Sequence, residues 1–220
     1  MQATRVFIGY DPRQPVAYNV LQSSIHRHSS GRVVVEPLEL RKLPISRRGL
    51  TEFTFSRFLV PWLCDYQGTA IFMDADIVVT GDVAELAAQA SMECAVQVMR
   101  DQARFEWASV MLFNNANCTM LTPEFVDDPE NPLLDLAWGK VGSFSADWNH
   151  CVGYMEPKQA NLYHYTQGLP CWYESAGLPE DDEWLEERRA LTQTVSWKEL
   201  MGASVHAKPV LQRLFRRLTQ

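Results

Sequence analysis

The opening of the chain sets an apolar run of strand length, a helix-length segment and a second strand-like run in that order, which leaves few architectures open. Arg5-Val6-Phe7-Ile8-Gly9-Tyr10 reads as a buried strand, and Asp11-Pro12-Arg13-Gln14-Pro15 breaks it. Ala17, Val20, Leu21 and Ile25 then recur at helical spacing, and a loop at Ser29, Ser30 and Gly31 leads into Val33 to Leu38. Strand, helix and strand in succession imply parallel pairing, and a parallel sheet is covered on both faces. The expected class is therefore α/β, a single domain with a mostly parallel central sheet flanked by helices on both faces. Ligands of such sheets sit at the carboxyl ends of the strands. Tyr10 and Asp11 occupy one such end.

The next apolar run, Thr69 to Met73, ends in Asp74-Ala75-Asp76 before Ile77, Val78 and Val79. In extended backbone alternate side chains share a face, so Asp74 and Asp76 point the same way. Two converging carboxylates repel unless something cationic lies between them, and a hard divalent ion with oxygen ligands, Mn²⁺ or Mg²⁺, satisfies both. The plainer alternative is a polar strand end, one Asp closing a turn and the other capping the next element. Upstream, Glu52 to Tyr66 reads as a helix whose core stripe is Phe55, Phe58, Leu59, Trp62, Leu63 and Tyr66. Arg57 falls on the other side of that helix, open to solvent or a ligand cleft, and Pro61 predicts a kink.

Downstream, Asp82 and Glu85 have the spacing of a capping box for a helix through Ala90. Strands are expected over Ala95 to Met99 and Ser109 to Phe113, and helices over Pro132 to Trp138 and Glu180 to Val195. The stretch from Gly139 to Trp172 reads as loops and short strands.

A chain of 220 residues with 46% hydrophobic content supports one substantial core, and no apolar run approaches the roughly 18 residues of a membrane span. The first residues lack the charged and apolar regions of a signal peptide. Cys64, Cys94, Cys118, Cys151 and Cys171 are odd in number and scattered, with no Cys-X-X-Cys, which fits a reducing cytoplasm. A net charge of −7 argues against a nucleic-acid partner. The end of the chain is the exception. In Lys208 to Leu218, Leu211, Leu214, Phe215 and Leu218 follow helical spacing among Lys208, Arg213, Arg216 and Arg217. This divides the chain into a domain over 1–205 and a basic amphipathic tail over 206–220. The tail either contacts an anionic membrane from the cytoplasmic side or docks its leucines on the core.

With these motifs in order, the chain resembles the retaining nucleotide-sugar glycosyltransferases of family 8, which have the GT-A fold and include glycogenin and the lipopolysaccharide galactosyltransferases. Phe7-Ile8-Gly9-Tyr10-Asp11 is similar to the strand end that holds the nucleoside, Phe55 to Leu63 to the helix whose arginine reaches the donor, and Phe72-Met73-Asp74-Ala75-Asp76 to the metal signature. Ser109 to Asn114 resembles the strand behind the donor sugar, Trp148-Asn149 a later family pair, and His164-Tyr165-Thr166 the start of the motif whose histidine completes the metal shell. The resemblance implies a metal-dependent hexosyltransferase. It implies Asp74, Asp76 and His164 as metal ligands for Mn²⁺ or Mg²⁺, and Gly9, Tyr10, Asp11, Arg57 and Ala75 at the UDP-sugar. Asp74, Asp76 and Arg57 carry the chemistry, with a glycan, lipopolysaccharide, other lipid-linked acceptor or protein receiving the sugar. Departures are equally visible. Gln167 and Pro170 stand where the family has a glycine and a diphosphate-binding lysine, Gly168 is displaced by one, and Trp107-Ala108-Ser109 replaces Asn-Ser-Gly. Asp147 is the nearest carboxylate to Trp148-Asn149. Two other functions share this layout: a sugar nucleotidyltransferase, which calls for a Gly-rich basic first loop that Gly9-Tyr10-Asp11-Pro12 does not supply, and a catalytically silent nucleotide- or glycan-binding domain.

Overall fold

The computed structural model describes residues 3–100 and 106–204, so the basic tail expected over 206–220 lies outside the described residues. The opening forms as the pattern dictates: β1 (Thr4–Gly9), α1 (Pro15–His28) and β2 (Val33–Leu38). Pro15 sits in the first turn of α1, where a missing N–H costs nothing, and His26, Arg27 and His28 lie at its carboxyl end, where the dipole favours positive charge. The chain continues through α2 (Val60–Leu63), β3 (Thr69–Met73), β4 (Ile77–Val79), α3 (Val83–Ala87), β5 (Val96–Val98) and β6 (Val110–Asn114). It then runs through α4 (Pro123–Asp127), β7 (Val141–Ser143), β8 (His150–Cys151), β9 (Leu162–His164), α5 (Asp181–Leu191) and α6 (Trp197–Met201).

Six strands form one sheet in the order β2-β1-β3-β6-β5-β7. The pairs β1–β2, β1–β3 and β5–β7 are parallel, and β6 runs antiparallel to both of its neighbours. Reversing β6 has a functional consequence: its amino end, with the turn before it, arrives at the carboxyl edge of β3. Alternation along the strands divides the core. Val6, Ile8, Ile71, Met73, Val110 and Leu112 face α1, α5 and α6. Phe7, Ala70, Phe72, Met111 and Phe113 face Phe53, Phe58, Leu59 and Val60. Asp74 continues the parity of Ala70 and Phe72, which aims it toward the 53–60 segment.

A second sheet, β4-β9-β8, leaves the first at a bend over Ala75 and Asp76. Its antiparallel register sets Ile77 opposite His164, Val78 opposite Tyr163 and Val79 opposite Leu162.

The helix expected over Glu52 to Tyr66 is replaced by turns, a 3₁₀ segment Ser56–Leu59 and the single turn α2. Pro61 supplies the reason, since it has no N–H for the Arg57 carbonyl and the Val60 N–H takes that acceptor one residue early. Asp65 and Tyr66, at φ of 50° and 55°, then end the segment. No helix forms over Pro132 to Trp138, because Leu136 is held at φ 58° and the Asp135 side chain accepts from Ala137 N–H in a local turn. Asp82 does cap α3, accepting from Ala84 N–H, but its second oxygen accepts from Ser30 and α3 stops at Ala87. Among the described residues no helix is long and apolar enough to cross a membrane.

Candidate active site

The bend after β3 places a buried Asp74 and a partly exposed Asp76 beside a wholly buried His164. One ligand atom from each lies within 4.8 Å of the others. Backbone bonds fix the cluster from both sides. The Asp74 N–H donates to the Ser109 carbonyl at 2.8 Å, and the Tyr165 N–H donates to the Asp76 carbonyl at 2.9 Å. His164 arrives from β9 through its pairing with Ile77, across a separation in sequence that no local pattern encodes.

Arg57 closes the other side, and here the structure corrects the sequence reading. The expectation was an arginine open to solvent or a cleft, on a helix face away from the core. The 3₁₀ winding instead buries it, with its guanidinium over the Phe72 ring at 4.9 Å. Its Nε donates to the Phe53 carbonyl at 3.1 Å and one Nη to the Ala108 carbonyl. The remaining Nη lies 3.1 Å from Asp74 Oδ1. All three nitrogens are engaged inside the protein.

The carboxylates are less well served. The Arg57 contact to Asp74 and the 3.3 Å approach of His164 Nε2 to Asp76 Oδ1 are ion-pair distances without hydrogen-bond geometry. Among the described residues, Asp74 Oδ1 and Asp76 Oδ1 are therefore buried oxygens with no hydrogen-bond partner. Orphans of this kind are uncommon in a folded interior and call for an explanation. Burial pushes the Asp74 carboxyl up to about 7; Arg57 opposes the rise and Asp76 adds to it. Burial also opposes the charged form of His164, yet Asp76 first, then Cys151 and Asp74, outweigh it and hold the imidazole well above its ordinary value. In protein alone, protons stand where a cation would. Two hard carboxylate oxygens, one imidazole and partial exposure at Asp76 suit a divalent ion that keeps open positions for other oxygens.

The nucleoside-side candidates lie on the neighbouring strand end, since β1 runs parallel to β3 with Ile8 opposite Met73. Gly9 is demanded by packing, because a Cβ there would overlap the Phe53 ring. Tyr10 meets Tyr18 edge to face, with centroids 5.4 Å apart. The Asp11 carboxylate is held by Arg13 at 2.7 Å, and although burial alone would raise its pKa, those bonds bring it below the usual value. Ala75 is buried within the bend. Asp147 is half-exposed and bonded to Lys158 at 2.6 Å, with no part in the cluster.

Two contributors escaped the sequence reading. The turn from Glu106 to Ser109 presents its carbonyls to Arg57 and to the Asp74 amide, with Glu106 at φ 55°. Asn149, named only as half of a motif, is fully buried against both that turn and His164. The only signal in the sequence was its place beside Trp148 in the motif pair.

Comparison with known proteins places this geometry. No family model matches the chain. Protein CDI of Arabidopsis thaliana is 34% identical over 223 aligned residues, covering 83% of this chain and 85% of that protein. The chain belongs to the Protein CDI family. Among solved structures, the bifunctional glycosyltransferase WbbM superimposes with a TM-score of 0.64 at 14% identity, covering 96% of this chain and 51% of that one. The glycosyltransferase GlyE of Streptococcus pneumoniae gives 0.64 at 17% identity, over 95% of this chain and 64% of its own. The galactosyltransferase LgtC, in complex with donor and acceptor sugar analogs, gives 0.62 at 11% identity, over 90% of this chain and 100% of its own. This chain thus spans between half and two thirds of WbbM and GlyE. At these identities the likeness is one of fold, and it gives this member of the Protein CDI family the GT-A fold of glycosyltransferases, in line with the family 8 resemblance.

Proposed function

We propose that this chain is a glycosyltransferase that moves a hexose from a UDP-sugar to a glycan, lipid-linked or protein acceptor, using Mn²⁺ or Mg²⁺ held by Asp74, Asp76 and His164. One observation carries the reading: two orphaned, buried carboxylate oxygens converge with an imidazole at the carboxyl edge of a GT-A sheet. Breaking the anomeric bond to a nucleoside diphosphate leaves negative charge on the departing group, and a bound divalent ion supplies the opposing charge there. The chain's own residues prepare the place. Arg57 keeps Asp74 facing inward and braces the 106–109 turn, and the Phe72 and Phe53 rings under its guanidinium keep water away. Tyr10, Asp11 and the backbone at Gly9 and Ala75 border the same edge and are assigned to the nucleoside side. Because Asp74 and Asp76 are committed to the ion, neither serves as nucleophile, and we assign retention by front-face displacement.

A second reading has its own support. All three Arg57 nitrogens are engaged within the protein, and Pro170 stands where a diphosphate-binding lysine would, so cations for the leaving group are few. A domain that binds nucleotide or glycan without turnover fits those facts. Incubation with a panel of nucleotide sugars and Mn²⁺, with and without chelator, separates the two: metal-dependent release of UDP from one donor supports transfer, and UDP binding without release from any donor supports the silent domain. The stretch 208–218 is assigned to contact with an anionic membrane at its cytoplasmic face. Truncation before Lys208 is expected to abolish sedimentation with anionic vesicles and leave turnover intact, and early melting of the truncated chain would reject that contact.

A further inference from the structure

Asn149 occupies a position where its amide can point only one way. The Glu106 carbonyl is an obligate acceptor, so the nitrogen of the Asn149 amide faces it, at 3.2 Å. Ser109 Oγ gives its proton to the same Glu106 carbonyl and is left to accept from that nitrogen at 3.0 Å. The amide oxygen therefore faces His164, 3.2 Å from Nδ1. An amide oxygen accepts, so the Nδ1 proton is the donor, and the nitrogen left with a lone pair on deprotonation of the ring is Nε2. Nε2 is the atom that lies 3.3 Å from Asp76 Oδ1, on the side where the two carboxylates converge.

We propose that Asn149 is a positioning residue that fixes the tautomer and ring plane of His164, so that Nε2 presents its lone pair to a divalent cation between Asp74 and Asp76. The inference rests on the metal site proposed above and adds a residue to it. The same turn that orients Asn149 also receives Arg57 at the Ala108 carbonyl and the Asp74 amide at the Ser109 carbonyl. The two halves of the ligand set, which come from different sheets, thus take their geometry from one turn, and Asn149 is the link on the histidine side. Such outer partners of ligating histidines commonly govern metal affinity.

The structural alternative is that Asn149 only ties the 106–109 turn to β8 and that the histidine would orient itself. Two variants tell these apart. Asn149→Leu removes both functions; Asn149→Asp keeps the acceptor for Nδ1–H and removes the donors to the turn. Calorimetric titration of the metal-free protein with Mn²⁺ is expected to show binding about ten- to a hundredfold weaker in Asn149→Leu than in the native protein. In the Zn²⁺-loaded proteins, long-range ¹H–¹⁵N spectra of His164 are expected to place the proton on Nδ1 in the native protein and in Asn149→Asp. Native affinity in a folded Asn149→Leu overturns the proposal, as does a proton on Nε2 in the native protein or in Asn149→Asp. Should Asn149→Leu fail to fold, the Mn²⁺ affinity of Asn149→Asp decides alone: affinity at or above native supports the acceptor role, and affinity about ten- to a hundredfold weaker assigns Asn149 to the turn and overturns the proposal. A native protein that binds no Mn²⁺ overturns the metal reading and this inference together, whereas native binding with unchanged variants overturns only this one.

Discussion

The two strand ends that meet at the candidate site are built on opposite principles. At the end of β3, Asp74 is buried, backbone-anchored, close to the Arg57 guanidinium and left with an oxygen that no described residue satisfies. At the end of β1, Asp11 is satisfied by its own near neighbour: Arg13 donates from its backbone and from its side chain, and half of that pair is in solvent. Buried charge without full compensation is costly, whereas a pair two residues apart whose arginine lies in solvent contributes little to stability. The first arrangement holds tension that a ligand can relieve; the second can open without consequence for the fold. The side proposed for the metal is preorganised, and the side proposed for the nucleoside is free to rearrange.

The sharpest way to break that contrast is to remove a charge from the preorganised side. Asp76→Asn is expected to lower UDP-sugar turnover by roughly two to three orders of magnitude, on the scale of losing one transition-state charge stabiliser. Its thermal midpoint should change little, because relief of the repulsion with Asp74 is offset by loss of the ion pair with His164. A large fall in the midpoint would show that Asp76 is a structural residue.

Arg57→Ala tests the compensation. Removing one partner of a buried pair leaves the other uncompensated, for about 3–5 kcal/mol. The Ala108 carbonyl loses its donor as well, whereas the Phe53 carbonyl keeps the backbone N–H of residue 57. Denaturant unfolding at alkaline pH, where Asp74 is ionised, should register the loss, and acidification through about 7 should shrink it as Asp74 takes up a proton. A pH-independent loss would assign the cost to packing.

The pH dependence is set by the directions of the two shifts. Asp74 titrates at 3.8 when unperturbed and at about 7 in the fold, so its charging cost in the ion-free protein grows as pH rises between those values. His164 has its folded value raised above 6.5, so its contribution is fully present below 6.5 and is lost as pH rises through the folded value. Ion-free stability should therefore decline from mildly acidic to alkaline pH, whereas Mn²⁺, which displaces these protons, should bind more tightly over the same span and release protons as it does so. Thermal midpoints with and without Mn²⁺, and calorimetry in buffers of different ionisation heat, measure both. Binding without proton release would place the ion elsewhere.

The smallest effect is expected at the other strand end. Asp11→Asn should change stability by no more than about 1 kcal/mol, because the arginine partner lies in solvent and Asn keeps an acceptor for the Arg13 N–H. It should also leave Mn²⁺ binding alone while altering affinity for UDP. Loss of Mn²⁺ binding would merge the two regions that the account keeps apart.

How much of the molecule is legible in its sequence depends on distance along the chain. The β1–α1–β2 opening, the acid pair closing β3, the Asp82 cap and the acidic start of α5 are encoded within a few turns, and periodicity reads them. Arg57 was misplaced because its surroundings depend on Pro61 forcing a tighter winding and on Phe53 and Phe72 meeting beneath the guanidinium. The 132–138 segment has helical spacing, but Leu136 in the left-handed region overrides it. Asn149 was legible only as part of a motif, because its purpose depends on a turn some forty residues earlier and a histidine in another strand.

Calorimetric binding of UDP with and without Mn²⁺ tests the central claim most directly. The account predicts that UDP binds when Mn²⁺ is present, weakly or not at all in chelator, and that Asp76→Asn and His164→Ala both lose the metal-dependent part while remaining folded. UDP binding of equal strength in chelator, or undiminished in His164→Ala, would contradict it.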